Sequence, residues 1–578
     1  MRAERLYLKT IKGLEPVHGV LKRLDDAFLD PLELRADSTL GVPGLVQALR
    51  AGTVLMANAP GSAFLESPAL LGFLPALSEH LLGQALALPS LATWWCGEQA
   101  AMQAVLPQLQ DCVIKPTYPN GRGETVIGRT LSRQGLDEWS GRILRQGDDT
   151  TVQAYMPLSQ TPTWQDGRIS PRAAMVRVFA LADGPGAWRV LPGGLARLAG
   201  RNENIASMQQ GGSSADVWVL GQSFKEVQAD TVARPSQPPV GRKPAVGSRS
   251  AENLYWLGRY TERADNTVRL AQLTLQALSG EDQGCAPLLS WLSGQAVANG
   301  LVLAGVPPAT QAKRVFERAL IVNLGDLGQA PSVGFNLTAL KGAAQAVRER
   351  LSPAQWQTVV NAEADFRARC GAFHGNHLRG PTGGEYSASE ALRALDAASQ
   401  FLAALTGAQT DRMVRDDGWR LLSIGRHVER LSMLAGALAA SLETGAVRED
   451  AGFRALLALF DSTITFQAQY QQRRDLAALL DLLVQDPDNP RSLAWVVQTL
   501  RARLARLAGS ADSLADALPD PTGWRLGALC QDTAGGAADD SALVGELHHC
   551  GQAALSLSEQ IGRRYFSHAA LGRISLGT

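Results

Sequence analysis

Residues 250–270 read SAENLYWLGRYTERADNTVRL, and residues 419–438 read WRLLSIGRHVERLSMLAGAL. Both carry G-R-x-x-E-R, as Gly258-Arg259 with Glu262-Arg263 and as Gly425-Arg426 with Glu429-Arg430, at an offset of 167 residues. In the first copy Leu254, Leu257, Thr261, Ala264, Val268 and Ala271 recur at alternating steps of three and four. In the second, Leu421, Ile424, Val428, Leu431, Ala435 and Leu438 fall at the same offset. That spacing lays one stripe along a helix and suits packing against a neighbouring helix. Two stripes in one register predict a duplicated helical unit, hence an all-α bundle with an internal repeat. The Glu-Arg pairs, each with a further Arg one turn away, are expected to form ion pairs on a face of the bundle, worth tenths of a kcal/mol where exposed. A polar centre that holds an anionic ligand is the sharper alternative.

Outward from these helices, the texture is uniform to the C-terminus. Ala/Leu/Arg/Glu-rich stretches are interrupted at 280–287, Pro307-Pro308, 374–386, 487–490 and 519–523, where Pro and Gly cannot continue a helix. Toward the N-terminus the texture changes near residue 230. Up to about Leu220 the chain is broken every 10 to 15 residues by Pro or Gly. Short apolar runs there predict strands at 6–8, 54–57, 113–114, 152–155, 175–182 and 217–220, with helices over 42–50, 69–82 and 98–109. The expected organisation is an α+β N-terminal half over 1–220, a Pro/Gly/Ser-rich linker over 221–247 and a helical domain over 248–578.

Composition narrows the function classes. The 578 residues carry 55 Lys+Arg and 55 Asp+Glu, a net charge of zero, which disfavours a partner that is bulk nucleic acid or an acidic membrane. The six cysteines form no C-x-x-C pair, which speaks against a disulfide framework or a zinc ribbon. The histidines at 374, 377, 427, 548 and 549, with Cys370 and Cys550, match no four-ligand zinc spacing and read as solvated or core groups. No apolar run approaches the ~18 residues of a membrane span, and residues 1–13 lack a signal-peptide core. A cytoplasmic protein is expected.

Only eight of the cations are lysines, and Lys115 is set apart among them. It follows Cys112-Val113-Ile114 and precedes Pro116 and the turn Asn120-Gly121-Arg122-Gly123. A lysine at a strand end can bridge phosphate oxygens, and glycine amides in the next turn can approach the same phosphates. The order does not match the P-loop, and a surface turn fits the same residues. Downstream come Gln153 and Tyr155 in a strand, then Arg172, Arg177 and Arg197, then Gln209-Gln210-Gly211-Gly212-Ser213-Ser214.

This order resembles the ATP-grasp fold. The strings YLKT, GLEPV, LPSLATWWCG, VIKP, PGGLAR and QQGGSSADVWVL, between about Arg5 and Leu220, are similar to the circularly permuted type 2 ATP-grasp family. The string at 250–270 resembles the opening of the bacterial alpha-E domain. The resemblance implies an ATP-dependent carboxylate–amine ligase that acts through an acyl phosphate, with ATP and Mg²⁺ as cofactors. It further implies that Lys115 holds phosphates and that Asn120, Gly121 and Gly123 form the phosphate-covering turn. Gln153 and Tyr155 fall on the adenine hinge, and Arg177 and Arg197 stabilise the transferring phosphoryl group. Asp25 and Asp26 are the candidates for metal, with a helix-start or turn role as the competing reading. Ala215 stands where the family commonly has Lys, and the family carries a further region ahead of the strand at Leu6-Tyr7-Leu8, so part of its fold is expected to be missing. The resemblance points to small-molecule or peptide carboxylate and amine substrates, to peptide modification, and to transglutaminase-like and proteasome-like partners. A nucleotide-binding or scaffold protein without turnover is the second function that fits.

Overall fold

The computed structural model describes residues 3–118, 125–165, 167–200, 212–220, 246–280, 285–328, 331–375, 387–471, 475–509, 513–529, 531–532 and 538–566. The chain divides into two compact units. One comprises residues 1–7 and 16–240, the other 8–15 and 241–578. A hairpin near the N-terminus departs from a simple division of the chain into two consecutive halves. Strands β1 (Tyr7–Thr10) and β2 (Gly13–Pro16) form it, and residues 8–15 belong to the helical unit. There the Ile11 amide donates to Val246 O at 3.2 Å and Lys12 Nζ lies 3.1 Å from Asp417. All but the last two residues of the expected linker, 221–247, lie outside the described residues.

In the first unit, β3 (Gly19–Leu21) and β4 (Leu55–Ala57) pair in parallel beside α1 (Leu45–Arg50). Helix α2 (Leu70–Leu82) follows, then β5 (Thr93–Trp95) and α3 (Gln99–Val105). Helix α3 ends earlier than its apolar pattern predicts. Pro107 has no amide to donate, and Leu106–Asp111 continue as a 3₁₀ turn. A four-stranded antiparallel sheet, order β5-β8-β6-β7, is built from β5, β6 (Cys112–Pro116), β7 (Val126–Ile127) and, after α4 (Arg133–Arg145), β8 (Thr150–Ala154). Alternation along its strands sends Cys112, Ile114 and Val152 into a core with Val105, Leu109 and Ile143 from the helices.

A second four-stranded sheet, order β14-β13-β10-β9, contains β9 (Gln160–Gln165), β10 (Arg168–Arg177), β13 (Gly194–Leu198) and β14 (Ser213–Val217). The run read as one strand over 175–182 is two, because β10 stops at Arg177 and a hairpin of β11 (Ala180–Ala182) and β12 (Trp188–Val190) begins. The strand expected at 217–220 lies instead at Ser213–Val217. Its partners on β13 end at Gly194, so Trp218, Val219 and Leu220 have no ladder to join and are exposed.

The second unit is helical. Its main members are α5 (Ser248–Ser279), α6 (Ala286–Ala298), α7 (Ala309–Asn323), α8 (Val333–Ala346), α9 (Pro353–Gly375), α10 (Ala388–Asp411) and α11 (Asp417–Glu443). They are followed by α12 (Asp450–Leu459), α13 (Thr463–Tyr470), α14 (Leu476–Leu480), α15 (Leu493–Ala508), the single turns α16 (Ser513–Asp516) and α17 (Leu526–Leu529), and α18 (Ser541–Ile561). Helix limits agree with the predicted breaks at 280–287, Pro307-Pro308, 374–386, 487–490 and 519–523, and further breaks outside the predicted ones separate α10 from α11 and α12 from α13. One two-stranded ribbon, Gln531–Asp532 with Ala538–Asp539, interrupts the helices.

The repeat helices α5 and α11 pack directly on each other about a pseudo-twofold axis. At Gly258 an added Cβ would collide with Leu422 O, and at Gly425 with Tyr255 O, and these contacts are equivalent under the 167-residue offset. Glycine is required for this approach. The motif charges do not lie on an exposed face as expected. They exchange partners across the seam. Arg430 holds Glu262 through Nε at 2.6 Å and Nη2 at 2.8 Å, while Arg263 holds Glu429 at 2.7 and 3.0 Å. Arg259 adds a bond to Glu429 at 2.9 Å, and Arg426 lies 3.5 Å from Glu262. Glu262 is 2% exposed. The correction follows from the glycines, because the close approach removes water from both motifs and brings the arginines of the facing helix onto each Glu. Breaking a buried pair by removing one partner costs about 3–5 kcal/mol, far above the surface value.

Candidate functional site

The sheet β5-β8-β6-β7 has one apolar face and one polar face. In the antiparallel register Lys115 stands opposite Thr151, Val113 opposite Gln153, and Gln153 opposite Thr93. Cross-strand partners and i, i+2 neighbours share a face. Thr93, Gln153, Thr151 and Lys115 therefore form a row on the side away from the core.

Hydrogen bonds link the row. Lys115 Nζ donates to Gln153 Oε1 at 2.7 Å, and Gln153 Nε2 donates to Thr93 Oγ1 at 3.1 Å. The Thr117 and Thr151 hydroxyls are 2.9 Å apart, and Ser67 Oγ donates to Thr117 O at 2.7 Å. Gln153 is buried, and Lys115 is half-buried, with a pKa lowered by that burial. Among the described residues no carboxylate pairs with it. A desolvated ammonium with one neutral partner has unspent capacity for an anion.

Tyr155 lies just past the end of β8. Its amide donates to Asp111 O at 3.0 Å, and the Arg129 guanidinium sits 5.0 Å from its ring centroid while pairing with Asp111 at 2.9 Å. The structure thus brings Lys115 and Gln153 together and sets Tyr155 on the following residues of the same strand path. Asn120, Gly121 and Gly123 lie outside the described residues.

Arg177 and Arg197 are on the second sheet. Arg177 faces Leu195 across β10 and β13, and Arg197 faces Met175, so both guanidiniums leave from one face. Asp216 and Ser214 of β14 share that face. Arg177 is exposed and Arg197 half-buried, and among the described residues neither is paired with a carboxylate. Arg172 belongs to the other face, where Nη1 donates to Ala199 O at 2.9 Å.

Asp26 accepts from Lys22 Nζ on Oδ1 and from the Gly61 and Ala63 amides, each at 3.0 Å, on Oδ2. Burial alone would raise its pKa, but Lys22 and the two amides hold it below the usual carboxylate value. Asp25 precedes a 3₁₀ turn without capping it. Both oxygens of Asp26 are thus engaged in closing the turn, and this does not fit a divalent ion. Among the described residues no three His, Cys, Asp or Glu side chains cluster as a metal site.

Sequence reasoning missed Thr93, Thr117, Thr151 and Arg129. The alternation Thr151-Val152-Gln153 beside Ile114-Lys115 was the available signal for the threonines on the polar face. Of the histidines, His548 and His549 are exposed, with His548 Nε2 2.8 Å from Glu443, whereas His427 is buried. His377 and the side chain of His374 lie outside the described residues.

Comparison with known proteins fits this division. Residues 1–199 match the family model of circularly permuted ATP-grasp type 2. Residues 246–566 match Alpha-E, described as a predicted alpha-helical domain with a conserved ER motif. Uncharacterized protein Rv2567 of Mycobacterium tuberculosis is 30% identical over 540 residues, which take in 89% of this chain and 58% of that protein. Rv2411c of the same organism is 36% identical over 220 residues, 38% of this chain and 40% of it. Synechocystis protein sll0335 is 33% identical over 216 residues, 37% and 45% of the two chains. The chain thus spans little more than half the length of the relative that it matches most extensively among these three.

Proposed function

Because this chain belongs to the alpha-E family and joins to that domain a circularly permuted type 2 ATP-grasp segment, we propose that it is an ATP-dependent carboxylate–amine ligase whose helical unit docks substrate or partner. The family of the first segment implies ATP binding, and usually Mg²⁺ with it. The observation that carries the reading is Lys115, a half-buried ammonium on a polar sheet face that pairs with no carboxylate among the described residues.

In the proposed reaction a substrate carboxylate oxygen attacks the γ-phosphorus of ATP, and the bond to the ADP oxygen breaks. The amine then attacks the acyl carbon, inorganic phosphate leaves, and the amine gives up a proton. Lys115 would hold the phosphates as a point charge already in place, so that little reorganisation is needed as charge moves to the leaving oxygen. Gln153, fixed by Thr93, keeps the ammonium at the sheet surface and out of competing contacts. Arg177 and Arg197, on one sheet face, supply planar forks that match phosphoryl oxygens. Magnesium would add charge neutralisation on the phosphates when bound. No step is routed through it, since Asp26 is consumed by Lys22 and two amides. Peptide carboxylates and amines are the substrate class, and transglutaminase-like or proteasome-like proteins the partners, that this reading favours.

The test is ATP-dependent phosphate release by the full chain with panels of carboxylates and with hydroxylamine as the trapping amine. Lys115→Ala should lower turnover by about 10²-fold or more, the cost of losing one preorganised charge contact. Unchanged turnover in that variant would refute the assignment. ATP binding without turnover across the panels would favour a nucleotide-binding scaffold.

A further inference from the structure

The two repeat motifs share one clamp but have different surroundings. Around Glu429 the clamp is closed. Arg259 and Arg263 hold it, Arg259 Nη1 also donates to Ser558 of α18 at 2.8 Å, and Trp256 lies beneath the Arg259 guanidinium at 5.0 Å. Around Glu262 the clamp opens into a cleft of about 590 Å³ between α5, α10, α11 and α15. Arginines 269, 415, 426, 430, 491 and 503 line it together with the carboxylates of Glu262 and Asp265, and Asp461 adds a carboxylate 3.6 Å from Arg269.

The clamp itself needs only two of these arginines, as Glu429 demonstrates. Arg491 lies 3.4 Å from Glu262 and 3.7 Å from Asp265, a third guanidinium on a carboxylate that Arg430 already holds with both oxygens. Arg415 and Arg503 lie over the Trp419 ring at 4.6 and 4.8 Å, and among the described residues neither has a carboxylate partner. Burial, and next to it the neighbouring cation Arg430, lowers the pKa of Arg491 to about 10. Arg426 and Arg503 are lowered too, first by burial. Like charges gathered in a partly dry cleft oppose folding unless an anion joins them.

Two buried acceptors also line the cleft. Gln409 is 1% exposed, its Nε2 donates to Thr261 Oγ1 at 3.0 Å, and among the described residues its Oε1 has no partner. His427 Nδ1 donates to Ser423 O at 2.6 Å, which leaves Nε2 of the neutral ring as an acceptor. Among the described residues the cleft therefore combines more arginines than carboxylates with a buried amide oxygen that lacks a donor and an imidazole acceptor.

We infer that this cleft is a binding site for a small polyanion, carrying carboxylate or phosphate groups together with a hydroxyl or amide donor, and that Arg491 and Arg503 are the arginines that serve it rather than the fold. The inference does not depend on the ligase reading, since all the residues lie in the helical unit.

Calorimetric titration of the full chain with citrate and with pyrophosphate, in sodium chloride of matched ionic strength, tests it. Saturable one-to-one binding is expected for at least one anion, and which one binds identifies the carboxylate or the phosphate source. Arg503→Gln and Arg491→Gln should each weaken it about tenfold or more, the value of a charge-assisted hydrogen bond. The two residues sit on different segments, so a folding defect in one, read from circular dichroism, leaves the other informative. The arginine changes are also made in Lys115→Ala protein, which lacks the phosphate contact proposed for the first unit, and binding to the cleft should persist in that protein and weaken when either arginine change is added. Absence of saturable binding by both anions would overturn the inference. So would binding in the Lys115→Ala protein that neither arginine change weakens, or binding of citrate that is lost in Lys115→Ala alone.

Discussion

Replacing Gly258 by alanine should destabilise the helical unit although alanine is the better helix former. A Cβ there would lie 2.9 Å from the Leu422 carbonyl carbon and 3.2 Å from the Arg426 amide nitrogen, and closer still to the Leu422 oxygen. Ordinary non-bonded contacts between such atoms are about 3.5–4.0 Å. Helices α5 and α11 must then separate by roughly 1 Å or more, set by the Leu422 oxygen, along a seam that also holds the Glu262–Arg430 and Glu429–Arg263 pairs. Overpacking of this kind costs about 1–3 kcal/mol, against a propensity gain of about 1 kcal/mol. The expected net loss is up to about 2 kcal/mol, larger if the ion pairs lengthen. Gly436→Ala is the control. It lies on α11 with nothing within 4 Å of the added atom, so it should gain up to about 1 kcal/mol. Urea unfolding followed by circular dichroism at 222 nm reads both. Gly258→Ala with Gly425→Ala should cost less than the sum of the single changes, because one methyl relieves the contact that the other would meet. If Gly258→Ala raises the midpoint as Gly436→Ala does, the close approach is wrong. If the double variant is fully additive, the two glycines do not share one seam.

Two further outcomes follow from the buried charges. His427 is held neutral, first by burial and then by Arg430 and Arg426, with its pKa lowered to about 3, whereas an unfolded histidine titrates near 6.5. The unfolded chain thus takes up the proton first, so stability should fall as pH drops from about 6.5 toward 3. Burial alone would raise the pKa of Glu262, but Arg430, Arg426 and Arg491 depress it, so its contribution is present above about 4.3 and lost only below that. Melting temperatures from pH 8 to 3 should show both losses. His427→Gln should remove the slope between 6.5 and 4.5 while Glu262→Gln leaves it, and a flat parent curve in that range would count against a buried neutral ring. At the other site, Lys115→Met should raise the melting temperature of nucleotide-free protein, since it removes a desolvated cation that has no counter-charge among the described residues, and should abolish the rise caused by ATP. A fall in the nucleotide-free value would mean that the lysine serves the fold.

Much of this was legible locally. Strand limits were not, where a partner decides them. Trp218 to Leu220 carry a good β pattern but find no ladder beyond Gly194. Lys115 could be singled out because an ammonium after Cys112-Val113-Ile114 is unusual in itself. Its partner could not, since Gln153 is 38 residues away and meets it only through the register of β6 with β8.

By itself the sequence determined that the second unit is helical and duplicated, because helix periodicity and Pro/Gly breaks act over a few residues and need no partner. It marked the paired G-R-x-x-E-R motifs and the change of texture between the halves. Tertiary structure alone decided what those motifs do. Two glycines allow the helices to touch, and that contact dries the seam and turns each Glu toward the arginines of the other copy. It also decided that one clamp closes against α18 while the other opens into an arginine-rich cleft. Glu262 and Arg491 are 229 residues apart in the chain, and only packing makes them neighbours.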